Sequence, residues 1–124
     1  MYNRVLITGS RTWKNPKHLI EVLDKRNWIH SILIQGGANG ADKMAKIYAK
    51  RNGIAEATID ANWDFYGSKA AGPVRNGWML YLEPTSVIAF YGEKSIGTKD
   101  MVRKARMVGI EDIEEHWEDE ICCE

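Results

Sequence analysis

The sequence predicts an α/β domain built on a mostly parallel five-stranded sheet with helices on both faces. Three observations lead there. Short apolar, β-branched runs recur along the 124 residues, and stretches of helical period follow them. Turns bearing Gly, Asn or Pro separate run from stretch, the punctuation of βαβ units rather than of hairpins. The clearest turn is Gly36-Gly37-Ala38-Asn39-Gly40-Ala41-Asp42, which leads from Ser31-Ile32-Leu33-Ile34-Gln35 into Lys43-Met44-Ala45-Lys46-Ile47-Tyr48-Ala49. Strands alternating with helices give parallel pairs and right-handed crossovers. The expected result is a doubly wound, Rossmann-like sheet, in the order 3-2-1-4-5.

In chain order, Arg4 to Thr8 is the first strand, ending in the turn Gly9-Ser10-Arg11. Asn15-Pro16 sets an N-cap before a proline at the first helical position, and Leu19, Ile20 and Leu23 form the buried stripe that follows. Ser31 to Gln35 is the second strand. In the second helix Ala41, Met44, Ala45, Tyr48 and Ala49 share one face, and Asn52-Gly53 ends it. Ile54 to Ile59 reads as the third strand. Asp60 to Lys69 reads as a polar loop of lid length, with Trp63 and Tyr66 as packing residues in preference to base-stacking ones. Gly72-Pro73 then opens a helix with Val74, Trp78, Tyr81 and Leu82 as its stripe, and Pro84 ends it. Thr85 to Tyr91 is the fourth strand. Thr98 caps a last helix with the stripe Met101, Val102, Ala105 and Val108, stopped by Gly109. Ile110 to Ile113 reads as a short edge strand. Residues 1–113 are thus expected to form one domain and 114–124 an acidic C-terminal tail.

The composition, 44% hydrophobic and 27% charged, is that of an ordinary soluble domain large enough for a core. No apolar run reaches the length of a membrane span and no signal-peptide pattern is present, so a cytoplasmic protein is expected. Cys122 and Cys123 are adjacent and form no C-x-x-C, while His18, His30 and His116 share no spacing. No metal and no cofactor are expected, and the histidines read as surface or packing residues. The formal net charge of zero hides a partition. Residues 1–110 hold all 17 Lys and Arg against nine acids, a net of +8, and residues 111–124 hold eight acids and no base. A basic body suits an anionic ligand, and the acidic end reads as solvated.

In a doubly wound sheet every strand-to-helix turn lies beyond the carboxyl ends of the strands, where ligands bind. Gly9-Ser10-Arg11, Gly36 to Asp42, Gly72 to Asn76 and Gly97-Thr98 are therefore expected around one cleft. Its chemistry is that of a phosphate and ribose site. Backbone amides at Gly9, Gly36, Gly37, Gly40, Gly72 and Gly97, with the hydroxyls of Ser10 and Thr98, suit phosphate oxygens at helix N-termini. Arg11 and Arg75 each offer a bidentate fork. Asn39 belongs to the glycine-rich turn and Pro73 fixes the helix start next to Arg75. Asp42 accepts from ribose hydroxyls or, on the rival reading, complements the helix dipole. Asn76 pairs with a base edge or a ribose, or else holds a loop. Arg75 next to a carboxylate would be a structural ion pair instead. Neither G-x-G-x-x-G nor G-x-x-x-x-G-K-[ST] occurs, which removes the common dehydrogenase and NTPase readings.

At these same residues the chain resembles the YspA-type, cpYpsA-related branch of the SLOG superfamily. The resemblance rests on Val5 to Arg11, Gly36 to Asp42, Ala71 to Asn76 with Met79, and Gly97-Thr98 with Asp100-Met101-Val102. It runs from residue 4 to about residue 113. It implies a Rossmann-like fold related to the LOG phosphoribohydrolases and the DprA/Smf proteins, with a nucleotide-related ligand in the cleft. The LOG enzymes carry R-K-x-x-M and P-G-G-x-G-T-x-x-E, whose arginine and final glutamate serve catalysis. Here Arg75 is kept and Asn76 stands for the lysine, but the glutamate position is Met101 and the proline is missing. Three readings follow. The first is a module that senses or sequesters a nucleotide, ADP-ribose or another NAD-derived molecule. The second is a nucleotide phosphoribohydrolase in which Arg75 works with Asp42 or Asp100. The third is single-stranded DNA binding, disfavoured by scattered tryptophans and the acidic end. A homodimer is expected by resemblance to the LOG group, and no membrane partner is.

Overall fold

The structure, a computed structural model, describes residues 2–118. Nine elements alternate: β1 (Asn3–Gly9), α1 (Pro16–Asp24), β2 (Ser31–Gln35), α2 (Ala41–Arg51), β3 (Ala55–Thr58), α3 (Trp63–Leu80), β4 (Ser86–Tyr91), α4 (Ile96–Met107) and β5 (Ile113–Trp117). All five strands are parallel in the order β3-β2-β1-β4-β5, the expected one. Parallel strands need crossovers, and crossovers put helices on the sheet's faces, so the central strands read as continuous apolar runs. Alternation along them divides the core. Val5, Ile7, Leu33, Ile88 and Phe90 pack with α1 and α2, while Leu6, Ile34 and Val87 meet Met79 of α3 and Met101 and Ala105 of α4.

Most element starts follow local chemistry. Asn15 caps α1 by accepting from the His18 amide at 3.0 Å, with Pro16 at the first helical position. Three departures bear on the site. The first is that the stretch expected as a loop over 60–69 is largely helical. Asn62 caps α3 by accepting from the Phe65 amide at 3.1 Å, so the helix starts at Trp63 and contains Pro73 instead of opening on it. Gly67, at φ 81° and ψ 175°, interrupts this helix and separates the turn carrying Trp63 from the rest. The inward face of α3 is also not the apolar stripe expected. Tyr81 is 84% exposed, whereas Ala71, Arg75, Asn76 and Met79 are buried, because hydrogen bonds satisfy the two polar residues there. In the second departure α4 starts at Ile96 after Ser95, so Thr98 lies buried inside the helix and caps nothing; Val108 is exposed.

The third departure is that β5 runs from Ile113 to Trp117, so Glu114 and Glu115 belong to the sheet and not to a solvated tail. Its acids are used in period two. Glu114, with Asp112, pairs with Arg26 at 3.1 Å, and Glu115 faces the other way to Arg106 and the Tyr91 hydroxyl. Trp117 stacks on Tyr91 with centroids 4.8 Å apart, and His116 stacks on Phe90. The remaining acids of the expected tail, with Cys122 and Cys123, lie outside the described residues, except Glu118, which accepts from the Lys14 amide at 2.6 Å.

A chain ended after Asp112 should therefore lose at least about 10 °C in melting temperature, roughly 3 kcal/mol for a domain of this size, since Ala89, Tyr91 and Val102 lose their cover. Circular dichroism melts check this. An unchanged melting temperature would mean that these residues are the solvated tail the composition suggests.

Candidate functional site

Beyond the carboxyl ends of β1, β2 and β3 lies a cavity of about 360 Å³. Arg11 comes from the turn after β1, Gly36, Gly37, Ala38 and Asn39 from the turn after β2, and Asp60, Ala61 and Trp63 from the turn after β3. Arg75 reaches it from the middle of α3. This size sits at the lower end of the range for small-molecule sites.

Two side chains hold the glycine-rich turn. Asp42, in the first turn of α2, accepts through Oδ2 from the Gly36 amide at 3.1 Å and the Ala38 amide at 3.3 Å. From the other side, Arg75 donates through Nη1 to the Gly36 carbonyl and through Nε to Asn76 Oδ1 at 3.1 Å. The Gly37 amide donates to Gln35 Oε1 at 2.6 Å. A Cβ on Gly36 would lie 2.6 Å from Arg75 Nη1, so a side chain there would displace the guanidinium. Gly40 is required twice, by φ +77° and by a Cβ position 2.2 Å from the Ser10 carbonyl oxygen.

This wiring revises the expected donor set. The amides of Gly36, Gly37 and Ala38 are used inside the turn, so of the expected residues the cleft offers an anion the guanidinium groups of Arg11 and Arg75 and the Asn39 side chain. Several other expected site residues stand apart from the cavity. Gly9 packs on Ala41 and Phe90, and the Ser10 hydroxyl bonds Thr12 and fills against Gly92. The Gly97 carbonyl and Asp100 Oδ2 accept from Asn76 Nδ2, and Pro73 O accepts from Lys104, so Gly97, Asp100, Pro73 and Asn76 belong to the α3–α4 contact, while Gly72 lies near the Trp63 ring and Thr98 is buried inside α4. Burial opposes ionisation of Asp100, but hydrogen bonds from Lys104, Asn76 and Arg103 outweigh it and hold its carboxyl below the ordinary value.

The sequence reading did not single out Asp60, Ala38 or Ala61, and it took Trp63 for packing. The signal was present for Asp60. It follows β3 by two residues, and the rule that selected Gly36 after β2 applies equally to it. The histidines are surface and packing residues, as the sequence suggests: His30 is exposed, and His18 and His116 pack on Trp13, Phe90 and each other. His18 Nε2 and His116 Nδ1 lie 3.2 Å apart across α1 and β5, and burial, then the neighbouring His116, lowers the pKa of His18.

Charge at the cavity is unbalanced. Among the described residues neither Arg11 nor Arg75 joins an ion pair, whereas Arg26, Arg103, Lys104 and Arg106 all do. Burial pulls the Arg75 pKa down from its usual value, and Asp42 pulls it back up. It remains a cation at any working pH. Asp42 is almost fully buried. Its Oδ1 has no partner, and burial pushes its pKa up to about 6 against the attraction of Arg75 and two backbone amides.

Residues 3–66 match the family described as YspA, cpYpsA-related SLOG. The chain belongs to that family. A gene 61 protein of Mycobacterium phage D29 is similar as well, 34% identical over 115 residues that cover 86% of this chain and 91% of that protein. No solved structure matches. The SLOG match contains Arg11, the Gly36 to Asp42 turn, Asp60 and Trp63, and ends before Arg75. In this SLOG protein the second guanidinium of the cavity thus comes from outside the matched segment.

The buried Asp42 couples stability to pH. A carboxyl whose folded pKa is raised binds its proton more tightly in the folded state, so it stabilises below pH 4 and that contribution is lost as pH rises through 6. From 3.8 to about 6 this amounts to about 3 kcal/mol. Denaturant titrations of wild type and Asp42→Asn at several pH values should show wild type losing ground against the variant by about that much between pH 4 and 7. A difference growing in the opposite direction would show that the carboxylate is favourably paired.

Proposed function

We propose that this SLOG protein binds a phosphorylated, nucleotide-type small molecule, ADP-ribose and NAD-derived ligands included, and senses or sequesters it. The observation that carries the reading is the pair of guanidiniums, Arg11 and Arg75, that line one cavity from separate elements without an ion-pair partner among the described residues. Asp60 lines the same cavity and offsets part of their charge, and an anion relieves the repulsion that remains while gaining charge-assisted hydrogen bonds. Family membership agrees with a nucleotide-related ligand. The two carboxylates that the sequence offers for glycosidic cleavage are both engaged, which favours a binding role. Asp100 is occupied by Lys104, Arg103 and Asn76, and Asp42 is committed to the Gly36 and Ala38 amides. Single-stranded nucleic acid is disfavoured because the tryptophans form no track. Trp13 is in the core, Trp28 packs on Tyr48 and Trp117 stacks on Tyr91.

Calorimetry with AMP, ADP-ribose, NAD and cyclic ADP-ribose should give at least one dissociation constant below about 1 mM, or about 4 kcal/mol. Arg11→Ala should weaken that ligand ten- to a hundredfold and leave the melting temperature almost unchanged, since Arg11 is exposed. Arg75→Ala should weaken it similarly but also destabilise by about 1–3 kcal/mol, because the Gly36 carbonyl loses its donor. Binding by both variants at wild-type affinity would sink the reading. Chromatography of AMP after incubation separates retention from cleavage, with free adenine indicating the hydrolase.

A further inference from the structure

We propose that Trp63 is the platform on which the ligand's base stacks, which makes the ligand a nucleoside phosphate rather than a sugar phosphate or free phosphate. This rests on the reading of Arg11 and Arg75 as the phosphate grip.

Trp63 does not behave as a core residue. Its side chain lines the cavity, the residue is 41% exposed, and it belongs to none of the buried apolar clusters among the described residues. The group over its ring face is the Arg11 guanidinium, with Cζ 5.2 Å from the ring centroid. The rest of the surroundings leave room for a flat group. Ala38 and Ala61 are small, and at the far edge of the ring a Cβ on Gly72 would lie 3.9 Å from Cη2. The break at Gly67 frees the turn bearing Trp63 from the direction of the α3 body, while the Asn62 cap fixes that turn in place. A large aromatic ring held half in water at the wall of a cationic cavity is placed to stack on another ring.

Arg11 connects the two ends of the site. Its contact with the indole is a cation–π interaction at a partly exposed position, weaker than the charge-assisted hydrogen bonds a phosphate offers. A phosphate arriving between Arg11 and Arg75 draws the guanidinium away and opens the ring face to the base. Asp60 completes the set. Its carboxylate lines the same cavity, packed over Gly37, and accepts no hydrogen bond from the protein among the described residues, which suits it to ribose hydroxyls. Sugar hydroxyls, base and phosphate thus each meet a chemically matched wall.

The test compares AMP with ribose 5-phosphate on wild type, Trp63→Leu and Trp63→Phe. Leucine keeps an apolar side chain without a stacking face, and phenylalanine keeps the face. Trp63→Leu should weaken AMP about tenfold or more and leave ribose 5-phosphate within about twofold, while Trp63→Phe holds AMP within about threefold. Melting temperatures check that both variants fold, as the position outside the core implies. An unchanged AMP affinity in Trp63→Leu overturns the proposal and leaves the phosphate grip standing. Equal weakening of both ligands also overturns it, because the ring would then act only by positioning Arg11. If the wild type binds neither AMP nor ribose 5-phosphate, the phosphate reading itself fails and takes this one with it.

Discussion

The turn after β2 is clamped from two sides, and the geometry of the site depends on that clamp. Asp42 holds the Gly36 and Ala38 amides from within α2, and Arg75 holds the Gly36 carbonyl from within α3. The two helices lie on opposite faces of the sheet, so the turn ties them together over the end of β2. Each holder is buried and charged, and neither is neutralised by direct contact with the other. Asp42 therefore sits at a raised pKa with one oxygen unpartnered, and Arg75 stands at the cavity wall in no direct ion pair, attracted by Asp42 and Asp60 from further off. Buried charges of this kind oppose folding unless hydrogen bonds satisfy them. Strain of this sort collects at functional sites.

The charge partition of the chain has a structural counterpart. Four of the bases find acids among the described residues. Arg26 holds Asp112 and Glu114, Arg106 holds Glu115, and Arg103 and Lys104 hold Asp100. These pairs fasten β5 to the helices on both faces and close the contact between α3 and α4. The two arginines at the cavity are left out of this pairing. A sum over the sequence cannot show this, because it counts every base alike, and the difference lies in which bases have acids within reach.

Much of the fold was legible in the sequence. The apolar runs of β1, β2 and β4 are buried on both faces and stand out from the turns that flank them, and Asn15-Pro16 starts α1 by local capping alone. The site was legible to the extent that a residue's place follows from its distance along the chain from a strand end. Arg11, Gly36, Gly37 and Asn39 line the cavity for that reason. Arg75 does too, although it lies well inside a helix. Gly97, Thr98 and Asp100 do not, and Gly97 and Asp100 bond Asn76 instead. Asn62 as a cap for α3 was hidden behind the stronger Gly72-Pro73 signal, and tertiary contacts let the helix run through that proline.

The sequence by itself determined the order of elements and the parallel sheet, since period, punctuation and crossover handedness are local or general properties, while the direction each crossover takes along the sheet is set by the folded structure. Tertiary structure decided what the polar groups do. Whether a glycine-turn amide faces a ligand or a neighbouring carboxylate depends on contacts such as Gly36 with Asp42 and Arg75, far apart in the chain and met only after folding. The same holds for β5, whose acids read as a tail until Arg26 and Arg106 stand opposite them. Pairing energy depends on distance and burial, and neither is written in the order of the residues.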